Sequence, residues 1–125
     1  MKKETPERYI ANAKETLAKA GIEDNRYIDI KYVKSACGTA FLGILKAIDE
    51  YLLRQGVHTK DLPKKVEEYE KALKKYSTRN GKLSGQFKDI YEELHIAGYY
   101  RGLLHSTSAV KGAIKLAKDF VSKLS

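Results

Sequence analysis

The sequence predicts an all-α fold, an up-and-down bundle of about five helices with a long central second helix. Three observations carry that expectation. The strong helix formers Ala, Leu, Lys and Glu dominate the chain. Apolar residues recur at three- and four-residue spacing, and the two-residue alternation of a half-buried strand is weak throughout. Hydroxyl, proline and glycine residues stand where those periodic runs begin and stop. With 125 residues the chain fits one helical-bundle domain, 1–125, with no internal repeat or low-complexity linker. A domain of this length buries roughly two-thirds of its unfolded surface and needs no disulfide or metal to hold it together.

The first helix opens at Thr5-Pro6-Glu7, a hydroxyl N-cap followed by proline at the first helical position. Tyr9, Ile10, Ala13 and Leu17 form its inner face and Gly21 ends it, with Glu23-Asp24-Asn25 as the connecting loop. The second helix spans about Asp29 to Gln55. Val33, Cys37, Ala40, Ile44, Ile48 and Tyr51 make one stripe, widened by Phe41, Leu45 and Leu52. Ala36, Ala40, Gly43 and Ala47 add a strip of small residues that lets a neighbouring helix approach closely. Leu42 and Leu53 fall on the remaining side. A helix apolar nearly all round is central to its bundle or shared with a second subunit.

The third helix begins at Asp61-Leu62-Pro63 and runs to about Tyr76, with Val66, Tyr69, Leu73 and Tyr76 inward. Glu67/Lys71 and Glu70/Lys74 are i,i+4 pairs in the favourable orientation, on a solvated face. Ser77-Thr78-Arg79-Asn80-Gly81-Lys82 reads as a loop. The fifth helix runs from about Ser108 to Leu124, with Val110, Ala113, Ile114, Ala117, Val121 and Leu124 inside. Lys111, Lys115 and Lys118 form a short basic stripe on its outer side, either ordinary solvation or a phosphate-contacting surface.

The fourth helix, about Leu83 to Leu104, carries the polar residues that face the wrong way. At about 100° per residue, Leu83, Phe87, Ile90, Leu94, Ala97 and Gly98 share one face. Arg101 falls in line with Leu83 and Leu94, and His105 lies one turn further on. His95 points off to the side, as a surface or boundary residue. A guanidinium aimed at the apolar side needs a reason, because charge is rarely buried without partners. Three readings compete: an ion pair with a carboxylate such as Asp49 or Glu50 at the end of the bundle, a place in a subunit interface, or an anion-binding group beside His105, which can exchange a proton near neutral pH.

Composition narrows the classes. The lone Cys37, set in an apolar run, reads as a small core residue or else a reactive thiol, and it cannot form an internal bridge. No Cys/His cluster has zinc spacing, so no metal is expected. There is no Gly-rich phosphate loop or nucleophile elbow, so no cofactor is implied. The charge of +8, from 24 Lys+Arg against 16 Asp+Glu, favours anionic partners, but the lysines are interleaved with acids. Nine tyrosines against no tryptophan could fill the core or, at Tyr99-Tyr100, Tyr91, Tyr32 and Tyr51, stack on a base or line a pocket. Met1-Lys2-Lys3-Glu4 leads straight into a helix start, and the longest uncharged stretch, Ser35 to Leu45, is far short of the roughly 20 residues of a membrane span. The expected location is cytoplasmic, with no membrane partner.

The order of parts, with the stretch Ala36-Cys37-Gly38-Thr39-Ala40-Phe41-Leu42-Gly43-Ile44-Leu45-Lys46-Ala47 and the segment Tyr99-Tyr100-Arg101-Gly102-Leu103-Leu104-His105, resembles the HEPN superfamily of small prokaryotic helical bundles associated with toxin–antitoxin and nucleotidyltransferase systems. The resemblance implies that in catalytic members an Arg and a following His cleave RNA without metal, usually at a dimer interface. Carried over, Arg101 would hold the scissile phosphate and His105 would act as acid or base. Here only three residues separate the two, fewer than is usual, and Gly102 replaces the polar residue that commonly follows the Arg. The leading expectation is therefore a non-enzymatic module, a homodimer through the second or fourth helix, that binds a partner protein or an anionic ligand such as RNA or a nucleotide. The alternative is a metal-independent ribonuclease with catalytic Arg101 and His105.

Overall fold

A computed structural model of the chain describes residues 4–77 and 81–125 and gives an all-α bundle. Met1 to Lys3, and Thr78 to Asn80 of the expected loop, lie outside the described residues. Helix α1 (Pro6–Leu17) starts as its residues dictate. The Thr5 hydroxyl accepts the Arg8 amide at 3.1 Å and Pro6 occupies the first turn, where no amide donor is missed. Ile10, Ala13 and Leu17 are buried, and a 3₁₀ turn (Ala18–Ala20) extends the helix to Gly21.

The connecting loop holds a small hairpin that the sequence reading lacks. Strand β1 (Ile22–Glu23) pairs antiparallel with β2 (Arg26–Tyr27), Ile22 opposite Tyr27 and Glu23 opposite Arg26. Asp24 and Asn25 turn the chain with φ of 52° and 62°, the two positive values that a tight I′ hairpin turn demands. Two residues per strand are too few for any alternation to register. The segment before the last helix joins this hairpin. The Tyr27 amide donates to the His105 carbonyl and the Thr107 amide to the Asn25 carbonyl, both at 2.9 Å.

Helix α2 (Ile30–Arg54), capped by Asp29, is the axis of the core. Val33, Ala36, Cys37, Ala40, Ile44 and Ile48 are wholly buried. The small residues are used as expected. A Cβ added at Gly43 would stand 2.8 Å from Tyr9 Cβ and 3.2 Å from the Pro6 carbonyl oxygen, so α1 crosses there almost backbone on backbone. Leu42 and Leu53 remain exposed.

Helix α3 (Val66–Tyr76) starts later than the expected Asp61. A 3₁₀ turn (Thr59–Asp61) comes first, and Leu62 is extended (φ −63°, ψ 147°) because the Pro63 ring disfavours a helical residue before it. Glu68 reaches back to accept the Lys64 amide at 2.8 Å, and the Glu70–Lys74 pair forms at 3.7 Å. Helix α5 (Thr107–Leu124) is capped by the Ser106 hydroxyl, which accepts the Ala109 amide at 3.1 Å. Its expected inner face is buried, with Phe120 added, and the Arg54 guanidinium donates to the Leu124 carbonyl at its end.

The fourth helix departs most from expectation. Helix α4 (Lys82–Ile90) is regular, but the chain continues as a π-helical segment, Tyr91–Tyr100, instead of an α-helix reaching Leu104. An i→i+5 ladder turns each residue by less than 100°, a lag of roughly 15° per residue that accumulates to roughly 150° over such a segment. The buried line accordingly steps by four, through Ile90, Leu94 and Gly98. Closure also carries the wider winding. The Arg101 amide donates to the Ile96 carbonyl and the Leu103 amide to Ala97, both at 2.8 Å, around Gly102 at φ 62°. That is a Schellman-type end enlarged by one residue, with glycine in the left-handed position it requires.

Candidate functional site

The π-helical winding relocates the segment that the sequence singles out. Arg101 caps the segment and is exposed, so it does not lie on the apolar line with Leu83 and Leu94. Among the described residues it forms no ion pair. The reading that pairs it with Asp49 or Glu50 is not met: neither carboxylate bridges Arg101, and Asp49 lies near Tyr69 and Lys46 instead. His105 is half-buried in extended chain beyond the helix, its carbonyl held by Tyr27. The two residues therefore do not share a helical face.

What the segment does assemble is an aromatic ladder, and its central member is the histidine read from sequence as a bystander. His95 stacks between Tyr91 (centroids 5.4 Å apart, 21° between planes) and Tyr99 (5.6 Å, 19°). On its third side lies Phe41 of α2 at 5.1 Å. Phe41 in turn meets Tyr91 at 5.8 Å and Phe87 at 6.2 Å, which carries the ladder into the core. Offset and tilted aromatic pairs of this kind each contribute about 0.5–1.5 kcal/mol beyond the area they bury. The signal was present in sequence as three rings spaced by four residues, but their partners on α2 were not.

Two glycines set how closely the segment lies on α2. A Cβ at Gly98 would be 2.6 Å from Cys37 Sγ and 2.8 Å from its Cβ, and one at Gly38 would be 2.7 Å from the Tyr99 ring. Cys37 is thus the core residue of the first reading. Burial, with the Glu93 carboxylate nearby, pushes its thiol up to about 12, so it carries no thiolate near neutral pH. Of the tyrosines, Tyr27 and Tyr69 are buried, and the Tyr51 hydroxyl donates to the Tyr76 carbonyl at 2.9 Å. Burial raises the Tyr69 hydroxyl above its ordinary value, with Asp49 reinforcing it. Tyr99 and Tyr100 are exposed at the outer end of the ladder.

The lysine stripe of α5 is on the outer side of its helix, as read from the sequence. Lys111, Lys115 and Lys118 also border, together with Lys14 of α1, a groove between α1 and α5. Among the described residues no helix is long and apolar enough to cross a membrane, and no group of three or more His, Cys, Asp or Glu residues is placed to hold a metal ion.

The fold is similar to the solved structure of a protein of unknown function from Dyadobacter fermentans, at 32% sequence identity and a TM-score of 0.77, covering 95% of this chain and 88% of that one. No curated protein matches the chain. The profile of DUF5618, a domain of unknown function, matches residues 1–125, and the chain belongs to that family.

Proposed function

We propose that the chain is a non-enzymatic, HEPN-like helical module that works as a homodimer and binds a partner protein or an anionic ligand. The observation that carries the dimer is the face shared by α2 and the π-helical segment. Lys34, Gly38 and Leu42 follow one another at four-residue steps on α2, and Gly102 and Tyr99 lie against the first two. Leu42 (54% exposed) of α2 and Tyr99 (45%), Tyr100 (73%) and Leu103 (53%) at the end of the segment are exposed large apolar side chains. Exposed large apolar side chains on neighbouring elements suit an association surface, and tyrosine is enriched in such surfaces. Sedimentation velocity tests the reading. Wild type should run as a dimer at tens of micromolar, and Tyr100→Glu or Leu42→Glu as a monomer of unchanged helicity. A wild type that stays monomeric at high micromolar concentration overturns it.

One observation favours a second reading, the ribonuclease. Arg101 is exposed at the end of the π-helical segment with no ionic partner among the described residues, which leaves its guanidinium available to a phosphate. In that reading Arg101 and His105 cleave single-stranded RNA in the presence of chelator, and His105→Ala abolishes cleavage. Equal RNA survival with wild type and variant discards it.

A further inference from the structure

We propose that the seam between α1 and α5 is a binding site for an anionic amphiphile, a molecule with one carboxylate, sulfate or phosphate head on an elongated apolar body. A groove of about 790 Å³ opens there, bounded by the end of α1, the hairpin and the first half of α5. That is within the range of roughly 300–1,000 Å³ found for small-molecule sites.

Its floor is apolar. Leu17, Tyr27 and Ile114 are buried beneath it, and Ile22 stands at the rim, 54% exposed. Its walls are cationic. Lys14 rises from α1 and Lys111, Lys115 and Lys118 from α5, and no carboxylate residue lines the groove. Among the described residues none of these four lysines is in an ion pair. Four like charges around one concavity repel each other, and an anionic head relieves that repulsion as it binds.

The groove is also prolonged. A second cavity of about 190 Å³ continues along the same helix pair, shares Lys14 and Lys118 with the first, is floored by Ile10 and Val121, and has Glu7 and Ser122 on its lining. The two cations common to both cavities stand where they join, so an anionic head belongs at Lys14 and Lys118 or on the Lys111/Lys115 side, away from the Glu7 carboxylate, with the apolar body on Leu17, Tyr27 and Ile114. An inorganic anion would leave the floor unsatisfied, and a neutral lipid would leave the lysines unpaired. A nucleic-acid strand fits less well, because Tyr27, the one aromatic residue lining the groove, is buried and offers no open face for stacking. The exposed Tyr99 and Tyr100 line neither cavity.

The inference rests on the reading of the chain as a binding module, but it uses no residue of the α2/π-helix face, so either can fail alone. Full-length protein titrated with the anionic probe 1-anilinonaphthalene-8-sulfonate should show saturable binding at one site. Decanoate, kept below its micelle concentration, should displace the probe. Lys115→Glu/Lys118→Glu should weaken the probe at least roughly tenfold, the loss expected for charge-assisted contacts, and Lys115→Gln/Lys118→Gln should weaken it less. Lys74→Glu/Lys75→Glu on α3 and Tyr100→Glu should leave probe binding unchanged, the latter even if it abolishes the dimer. Decanol or decylamine competing as well as decanoate would overturn the proposal. So would charge reversal with no effect, or a single-stranded oligonucleotide displacing the probe where decanoate does not.

Discussion

Replacing Gly98 by alanine probes the contact between α2 and the π-helical segment most sharply. In an open helix the change is favourable, since alanine exceeds glycine in helix propensity by about 0.8–1 kcal/mol. At Gly98 the new methyl meets Cys37 Sγ at 2.6 Å, Cys37 Cβ at 2.8 Å and the Glu93 carbonyl oxygen at 3.2 Å. None of these is the far end of a flexible chain, and Cys37 is wholly buried on the central helix. Overpacking of such a site costs about 1–3 kcal/mol. The net effect should be a destabilisation of up to about 2 kcal/mol. For a chain of 125 residues each kcal/mol corresponds to about 4 °C in Tm, so thermal unfolding followed by circular dichroism should show a loss of up to about 8 °C. Gly85 and Gly112 are the controls, because a Cβ at either meets nothing within 4 Å. Their alanine variants should gain about 2–4 °C. Cys37→Ala combined with Gly98→Ala should recover part of the loss, as residues in contact are energetically coupled. If Gly98→Ala stabilises the protein as the controls do, the close packing described for this segment is wrong.

Three further outcomes follow from the same geometry. Gly102→Ala places a side chain at φ 62° while its Cβ meets Lys34 only at 3.4 Å, so its cost of about 1–2 kcal/mol comes from the backbone and should appear as a lower Tm with unchanged helicity. The Cys37 thiol, buried and held near 12, should react with an aromatic disulfide reagent at pH 8 only after denaturant is added; rapid native-state labelling would contradict its place in the core. Burial raises the Asp49 carboxyl above the ordinary carboxylate range, with the Tyr69 hydroxyl and Lys46 opposing. Its folded state therefore holds the proton more tightly than the unfolded chain. That contribution is complete below the unfolded value of about 3.9 and is lost as pH rises through the raised folded value. Asp49→Asn should raise Tm at pH 7.5 and give a smaller gain at pH 4.

Much of the fold was legible because its signals are local. Thr5-Pro6 announced α1, the small residues around Gly43 announced a close helix crossing, and the apolar stripe of α5 was buried as read. Arg101 was misplaced for a physical reason. A 100° wheel was carried through residues 91–100, where the winding is wider, and nothing in the run Glu92 to Tyr100 marks that change except the rings at four-residue spacing and Gly98 itself. Its cause is tertiary: the segment is wound so that Gly98 meets Cys37, Tyr91 and His95 meet Phe41, and His95 stacks between Tyr91 and Tyr99. His95 was missed on the same account. The α5 lysines were correctly put on the outer side of their helix, but that this side faces Lys14 across a groove depends on how α1 and α5 pack, and no spacing within α5 encodes that.

The proposed association face is tested most directly by hydrogen exchange of wild type at low and at high micromolar concentration, read by mass spectrometry. Amides from Tyr99 to Leu103, and those around Leu42 on α2, should exchange more slowly at the higher concentration, while the hairpin and the start of α5 are unaffected. Exchange that is the same at both concentrations, or protection gained at the α1/α5 groove instead, would contradict the proposed face.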